Sequence, residues 1–283
     1  MTARHARTVP MRPRMFPVSG KGVLVALAGG LLLAGCGTAQ IANTSPGAAA
    51  NIASLSDVVA ANPNDPSAYN IRGTAYGEAG RYEAALQDFD QAIALNPGFH
   101  QAYANRALVN RRLGRTQQAI TDYNRAIQIA PSYDIAYVGR GNVYRLSEQY
   151  AQALSDYQAA IRLRSDNPRA YHNRGLVYQS RGLHSFAIED FTAALGLNPT
   201  AVEPYHARGI SYLAANDPKS ALDDFVAALR LRRNFADAWV GRGRAHEALG
   251  QYNEARKAYQ AALGYRSNMP EAREGIRRVS GKA

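Results

Sequence analysis

Residues 134–167 read DIAYVGRGNVYRLSEQYAQALSDYQAAIRLRSDN, and the fold follows from how these 34 residues are spaced. Tyr137, Gly141 and Tyr144 recur at i, i+4 and i+7, and Ala153, Tyr157 and Ala160 do so again further on. Each triplet lies on one face of a helix, so the segment predicts two helices in succession, each with a single face to bury. The small residues Gly141 and Ala153 let the two backbones approach, and the rings fill the space around them.

The same pattern runs through six consecutive units without insertion: 66–99, 100–133, 134–167, 168–201, 202–235 and 236–269. With each unit numbered from 1 to 34, position 20 is alanine in all six, as is position 27, while position 24 is always Phe or Tyr. Position 4 is Tyr69, Tyr103, Tyr137, Tyr171, Tyr205 and Trp239. Between the helices stands Gly80, Gly114, Gly182 or Gly250, the residue suited to the left-handed conformation after a helix end, replaced by Glu148 and Asn216 in the third and fifth units. Pro97, Pro131 and Pro199 stop the second helices of their units, and Asp217-Pro218 supplies an N-cap and a first helical residue. Such units bury their apolar faces only by stacking on one another, and the end units need caps. Asn51 to Ala61, within 51–65, reads as an orphan second helix at the N-terminal end, and 270–283 as a C-terminal capping helix.

This pattern resembles the tetratricopeptide repeat (TPR) over residues 66–269. The resemblance implies an all-α, right-handed α-solenoid whose first helices line a concave groove that holds a partner's peptide or helix. In that family positions 2, 5, 6, 9, 12 and 13 face the groove. Here they include Asn105, Asn142 and Asn173, whose amides can both donate to and accept from an extended backbone. They also include Arg111, Arg112, Arg145, Arg169 and Arg244, the histidines His172 and His206, and the fewer acids Glu78, Glu203, Asp237 and Glu247. The surplus of cations in units two to four points to protein or peptide partners with acidic residues. The lysine and asparagine clamp of chaperone-binding members is not matched, because Val138 and His206 stand where lysines would be needed.

A different reading governs the first residues. Gly22 to Ala34, GVLVALAGGLLLA, is apolar and 13 residues long, the size of a signal-peptide h-region and short of the roughly 20 residues a membrane-spanning helix needs. It runs into Leu33-Ala34-Gly35-Cys36, which resembles the lipobox of bacterial lipoproteins. That resemblance implies a signal peptide at 1–35, acylation of Cys36, and a mature protein anchored to a membrane without spanning it. Gly37, where an aspartate would favour inner-membrane retention, implies the outer membrane, facing the periplasm. Residues 36–50 are small, polar and uncharged and read as a flexible tether. The cationic stretch ahead of the apolar run is long for such leaders, which leaves Met1, Met11 and Met15 all open as starts.

Composition sets the remaining bounds. The chain is 46% hydrophobic and 19% charged, as a folded protein is. Of its net +11, five cations belong to residues 1–35, which hold no acid, so the rest carries +6. A single cysteine excludes a disulfide framework and a C-x-x-C pair. Arginine at position 7 of every unit and aspartate at position 23 of five predict a ladder of structural ion pairs rather than a functional basic stripe. Of the seventeen tyrosines, twelve fall at positions 4, 11 and 24 and are expected in the core rather than as bases' stacking partners. Gly139-Arg140-Gly141 follows no strand and is no dinucleotide fingerprint, and His172 and His206, one repeat apart with no carboxylate cluster, make no metal site. We expect no catalytic residue, no cofactor, no metal and no nucleic-acid partner. An envelope enzyme and a nucleic-acid binder are the disfavoured alternatives to an adaptor.

Overall fold

Each unit folds into a helix hairpin because its turn residue reverses the chain at one point. Gly80, Gly114, Gly182 and Gly250 adopt φ of 74°, 72°, 71° and 72°, and Glu148 and Asn216 adopt 58° and 59°. The next residue's N–H then reaches back to the first helix, as Arg81 does to the Tyr76 carbonyl and Asp217 to that of Tyr212, both at 2.8 Å. Each such bond satisfies a carbonyl the helix end would otherwise leave orphaned. Glu148 accepts a conformation that costs a side-chain-bearing residue about 1 kcal/mol.

The computed structural model describes residues 46–282, and among them are fourteen α-helices and no strand. An orphan helix α1 (Pro46–Ala61) precedes six hairpins: α2 (Pro66–Glu78) with α3 (Tyr82–Leu95), α4 (His100–Arg112) with α5 (Thr116–Ile129), and α6 (Asp134–Leu146) with α7 (Tyr150–Leu163). The series continues with α8 (Pro168–Ser180) and α9 (His184–Leu197), α10 (Val202–Ala214) and α11 (Pro218–Leu231), and α12 (Ala236–Ala248) and α13 (Tyr252–Tyr265). It closes with α14 (Pro270–Val279). Helix α1 begins at Pro46, ahead of the expected Asn51, so the last five residues assigned to the tether are helical. The expected signal peptide and Cys36 lie outside the described residues. No helix among those described is long and apolar enough to cross a membrane.

First helices of successive units touch one another, as α2 does α4 and α4 does α6, whereas second helices contact only first helices. Elements that touch their own kind lie on the inside of a curve. The first helices therefore line the concave face of an α-solenoid.

The alanines at positions 20 and 27 are 0–1% exposed in every unit, and the position 24 rings are buried with them. Glycine at position 8 is explained by that ring more than by the opposite backbone: a Cβ on Gly141 would stand 2.8 Å from Tyr157 Cε1, and one on Gly175 2.7 Å from Phe191 Cε1. Ala153 and Ala151 make a direct test of this register. Ala153 is fully buried and Ala151 exposed, so Ala153→Leu is expected to lower stability by about 1–3 kcal/mol through overpacking while Ala151→Leu stays near neutral. Equal melting temperatures for the two variants would contradict the packing.

The expected ladder is present in five units. Arg140 donates from Nε and Nη2 to the two Asp156 carboxylate oxygens at 2.9 and 2.6 Å, and Arg72, Arg106, Arg174 and Arg208 repeat this fork on Asp88, Asp122, Asp190 and Asp224. Arg140 also reaches Asn124 of the preceding unit at 2.5 Å, and Arg106 reaches Asp90 at 2.6 Å. The guanidinium stands between the position 4 and position 11 rings, Tyr137 and Tyr144 in the third unit. Those two tyrosine positions are therefore half-buried flanks of an ion pair, and only position 24 is full core. Unit six has Ala258 in place of the aspartate, and Arg242 turns to Trp239 and His246 instead.

Candidate binding groove

The concave face presents the residues that the repeat frame leaves free to vary. Its acids are mostly spent within the molecule. Glu203 accepts from Arg232 at 3.0 Å, Asp237 accepts from Arg266, and Glu247 accepts a bidentate pair from Arg278 of α14 at 2.9 and 3.0 Å. The Arg278 bond is the leading cause that holds the Glu247 carboxyl below its ordinary range. Only Glu78, exposed near the end of α2, has no such partner among the described residues.

Its cations behave in the opposite way. Arg111, Arg112, Arg145, Arg169 and Arg244 form no ion pair with any described residue. Arg112, Arg169 and Arg244 are exposed, whereas Arg111 and Arg145 are half-buried with Nε atoms that are sealed from solvent and lack an acceptor. By sequence the groove cations Arg111, Arg112, Arg145 and Arg169 fall in units two to four and the acids Asp237 and Glu247 in unit six. The structure gives a face that is cationic through the middle, while at the C-terminal end the acids are neutralised internally and Arg244 stays unpaired.

The three asparagines differ in what they still offer. Asn105 donates to Asn70 at 3.0 Å and Thr74 at 3.3 Å, and Asn142 accepts from the Tyr157 hydroxyl at 2.8 Å, so each has part of its amide engaged inside the solenoid. Asn173 lies beside Arg169 and His172 along a recess of about 340 Å³ that Glu203 also borders. Asn105 and Arg112 meet at a smaller recess, about 130 Å³, over Phe89.

His172 and His206 are packed on aromatic rings rather than held out as polar contacts. The His172 ring lies 5.6 Å from that of Phe191, and His206 sits between Phe225 at 5.9 Å and Phe235 at 4.8 Å. Burial pushes His172 down to about 4, with Glu203 opposing and Arg145 reinforcing the shift, and burial lowers His206 as well. Both rings are neutral at pH 7. Among the described residues no group of three or more His, Cys, Asp or Glu is placed to hold a metal ion.

Two features of this face went unread in the sequence. One is a recess of about 570 Å³ in units five and six, where the apolar Ile210, Leu213 and Val240 stand beside the charged Asp237, Arg244 and Arg266. The other is the pairing of position 12 with the hydroxyl of position 24, which sets Arg111 beside Tyr123, Arg145 beside Tyr157 and Glu247 beside Tyr259. The second was available in principle, since position 12 is charged in the three units whose position 24 is tyrosine and uncharged in the three where it is phenylalanine.

A solenoid of stacked helix hairpins with a variable concave face defines a class of repeat proteins, and the comparisons identify the family. Tetratricopeptide repeat models match residues 48–97, 72–134 and 206–272, and again 168–200, and a TPR repeat model matches 141–182. The chain belongs to the tetratricopeptide repeat family. No curated protein matches it. Among solved structures it is similar to the APC/C hetero-tetramer Cut9–Hcn1, at 19% identity and a TM-score of 0.72 over 80% of this chain and 45% of that one. It is also similar to PilF of Pseudomonas aeruginosa, at 18% identity and a TM-score of 0.69 over 75% of this chain and 97% of that one. A third likeness is to YrrB, described as a TPR protein with an unusual peptide-binding site, at 23% identity and a TM-score of 0.57 over 67% of this chain and 97% of that one. The chain thus spans less than half the length of the first of these, and at such identities the likeness concerns the fold.

Proposed function

We propose that this protein is a lipid-anchored adaptor of the bacterial envelope, which binds other proteins along its concave face and performs no chemistry of its own. The observation that carries the binding role is the contrast on that face: the frame residues are spent on each other, while five groove arginines are left without carboxylate partners. Complementary charge of that kind raises association rate and selects register, so the partner presents acidic residues and its affinity falls with salt. Pilus or secretion assembly proteins, envelope proteases and peptidoglycan-remodelling enzymes are the partner classes this reading favours. The anchoring role rests on the lipobox-like run ending at Cys36, and Gly37 favours the outer membrane facing the periplasm.

The test joins both halves. Cells expressing the full chain or its Cys36→Ser variant are labelled with a fatty-acid analogue and fractionated, and the protein's partners are captured from each fraction. The wild type is expected to label and sediment with membranes, and the variant to do neither while keeping its helicity and its partners. A Cys36→Ser protein that still labels would overturn the lipoprotein reading, and a wild type that captures nothing in the envelope would overturn the adaptor reading.

A further inference from the structure

Position 12 of a unit and position 24 of the same unit meet at the concave face, and unit six shows what completes the meeting. There the Tyr259 hydroxyl donates to Glu247 at 2.7 Å, and Arg278 closes the arrangement by bonding both Glu247 oxygens and approaching the tyrosine oxygen at 3.4 Å. The result is a satisfied triad of carboxylate, phenol and guanidinium. Arg278 occupies position 9 of what would be a seventh first helix, α14.

Units two and three carry the same geometry with the charge reversed. Arg111 and Arg145 replace the glutamate, Tyr123 and Tyr157 replace Tyr259, and position 9 of the following helix is Asn142 in one case and Leu176 in the other. Neither can supply a carboxylate, and Asn142 is already engaged with Tyr157. The buried Nε atoms of both arginines have no acceptor, although a buried donor is ordinarily paired. Arg111 and Arg145 both act on the Tyr157 hydroxyl, so the two guanidinium groups lie within electrostatic reach of one point on the groove. No described acid pairs with either.

We propose that Arg111 with Tyr123 and Arg145 with Tyr157 form two adjoining carboxylate sites, which together take two Asp or Glu side chains from a single partner segment laid along the concave face. The inference rests on the adaptor reading and names the chemistry by which the partner is held. Carboxylates fit better than isolated point charges would, because each guanidinium presents a planar fork of donors that matches a carboxylate and that no described acid meets. Both arginines stand at position 12 of their units, whereas Val138 and His206, where chaperone-binding relatives would need lysines, stand at position 5.

The side-chain Nε–H signals of Arg111 and Arg145 in the ¹⁵N-labelled full chain report the sites directly. The probes are glutarate, N-acetylated hexaglutamate, inorganic phosphate and chloride at matched ionic strength. Both signals are expected to shift saturably with glutarate and hexaglutamate, the peptide binding at least tenfold more tightly because one chain engages two sites. Arg111→Gln or Arg145→Gln should each bring the peptide back to the affinity of glutarate, with helicity unchanged, since neither residue belongs to the Arg–Asp ladder. Shifts no larger than those with chloride would overturn the proposal, as would phosphate binding more tightly than the carboxylates, or an Arg111→Gln, Arg145→Gln double variant that binds as the wild type does. A natural partner still captured by that double variant would also overturn these sites, while leaving the adaptor reading intact.

Discussion

Asp156→Ala is expected to lower the stability of the central units by about 3 kcal/mol, the largest effect of any single truncation proposed for this chain. The carboxylate is 6% exposed and takes both forked bonds of Arg140, whose side chain is 20% exposed. Removing one partner of a buried pair leaves the other charge desolvated and unpaired, which typically costs 3–5 kcal/mol. Arg140 retains Asn124 and the faces of Tyr137 and Tyr144, which places the loss at the low end of that range. Because repeats contact only their neighbours, the damage should appear first as local opening. Hydrogen exchange in α6 and α7 should rise before that in α12 and α13. An Arg140→Leu, Asp156→Leu double variant should recover most of the loss, since an apolar pair of similar volume carries no buried charge. Asp156→Ala within 0.5 kcal/mol of wild type by urea unfolding would show that the ladder aligns helices without stabilising them.

The reason such a prediction can be made at all is that the ladder was legible as a sequence period. A stacked repeat imposes one environment on each position, so six copies of Arg at position 7 or Ala at position 20 define burial and pairing before any coordinate is known. The turn was equally legible, down to Glu148 and Asn216 taking the left-handed role of glycine. What the period does not fix is the partner of a residue that departs from it. Asp237 and Glu247 stood out as groove acids, yet Arg266, near the end of the same unit, and Arg278 of α14 neutralise them. Asn105 and Asn142 looked available to a peptide, yet Asn70 and Tyr157 hold part of each. Such pairings join positions that vary, within a unit or across to the next, so only side-chain placement reveals them. The start of α1 at Pro46 was missed for a related reason. Residues 46–50, PGAAA, carry no aromatic or charged marker of the repeat.

Lowering the pH from about 6.5 to about 4 is expected to destabilise the solenoid by up to roughly 3 kcal/mol through His172 alone. Burial against Phe191 holds this imidazole down at about 4, and the neighbouring Arg145 works in the same direction, while Glu203 opposes. An unfolded histidine titrates near 6.5. Between those values the unfolded chain binds a proton that the folded chain refuses, so stability rises with pH across the window and is lost as pH falls through it. A shift of this size corresponds to about 1.4 kcal/mol for each pH unit. His206, and His100 more weakly buried, shift in the same direction and steepen the dependence. His172→Phe keeps a ring on Phe191 and cannot titrate, so its stability should change much less between pH 6.5 and pH 4. Urea unfolding at four pH values across that interval measures the two slopes. If the His172→Phe slope equals that of the wild type, the ring is solvated in the native protein and its packing on Phe191 is wrong. If the slope flattens, His172 is neutral in the folded protein above pH 5, and the cationic character of the middle groove there comes from its arginines alone. Salt should then weaken acidic partners of the middle units equally at pH 6 and pH 8, because His172 stays neutral at both.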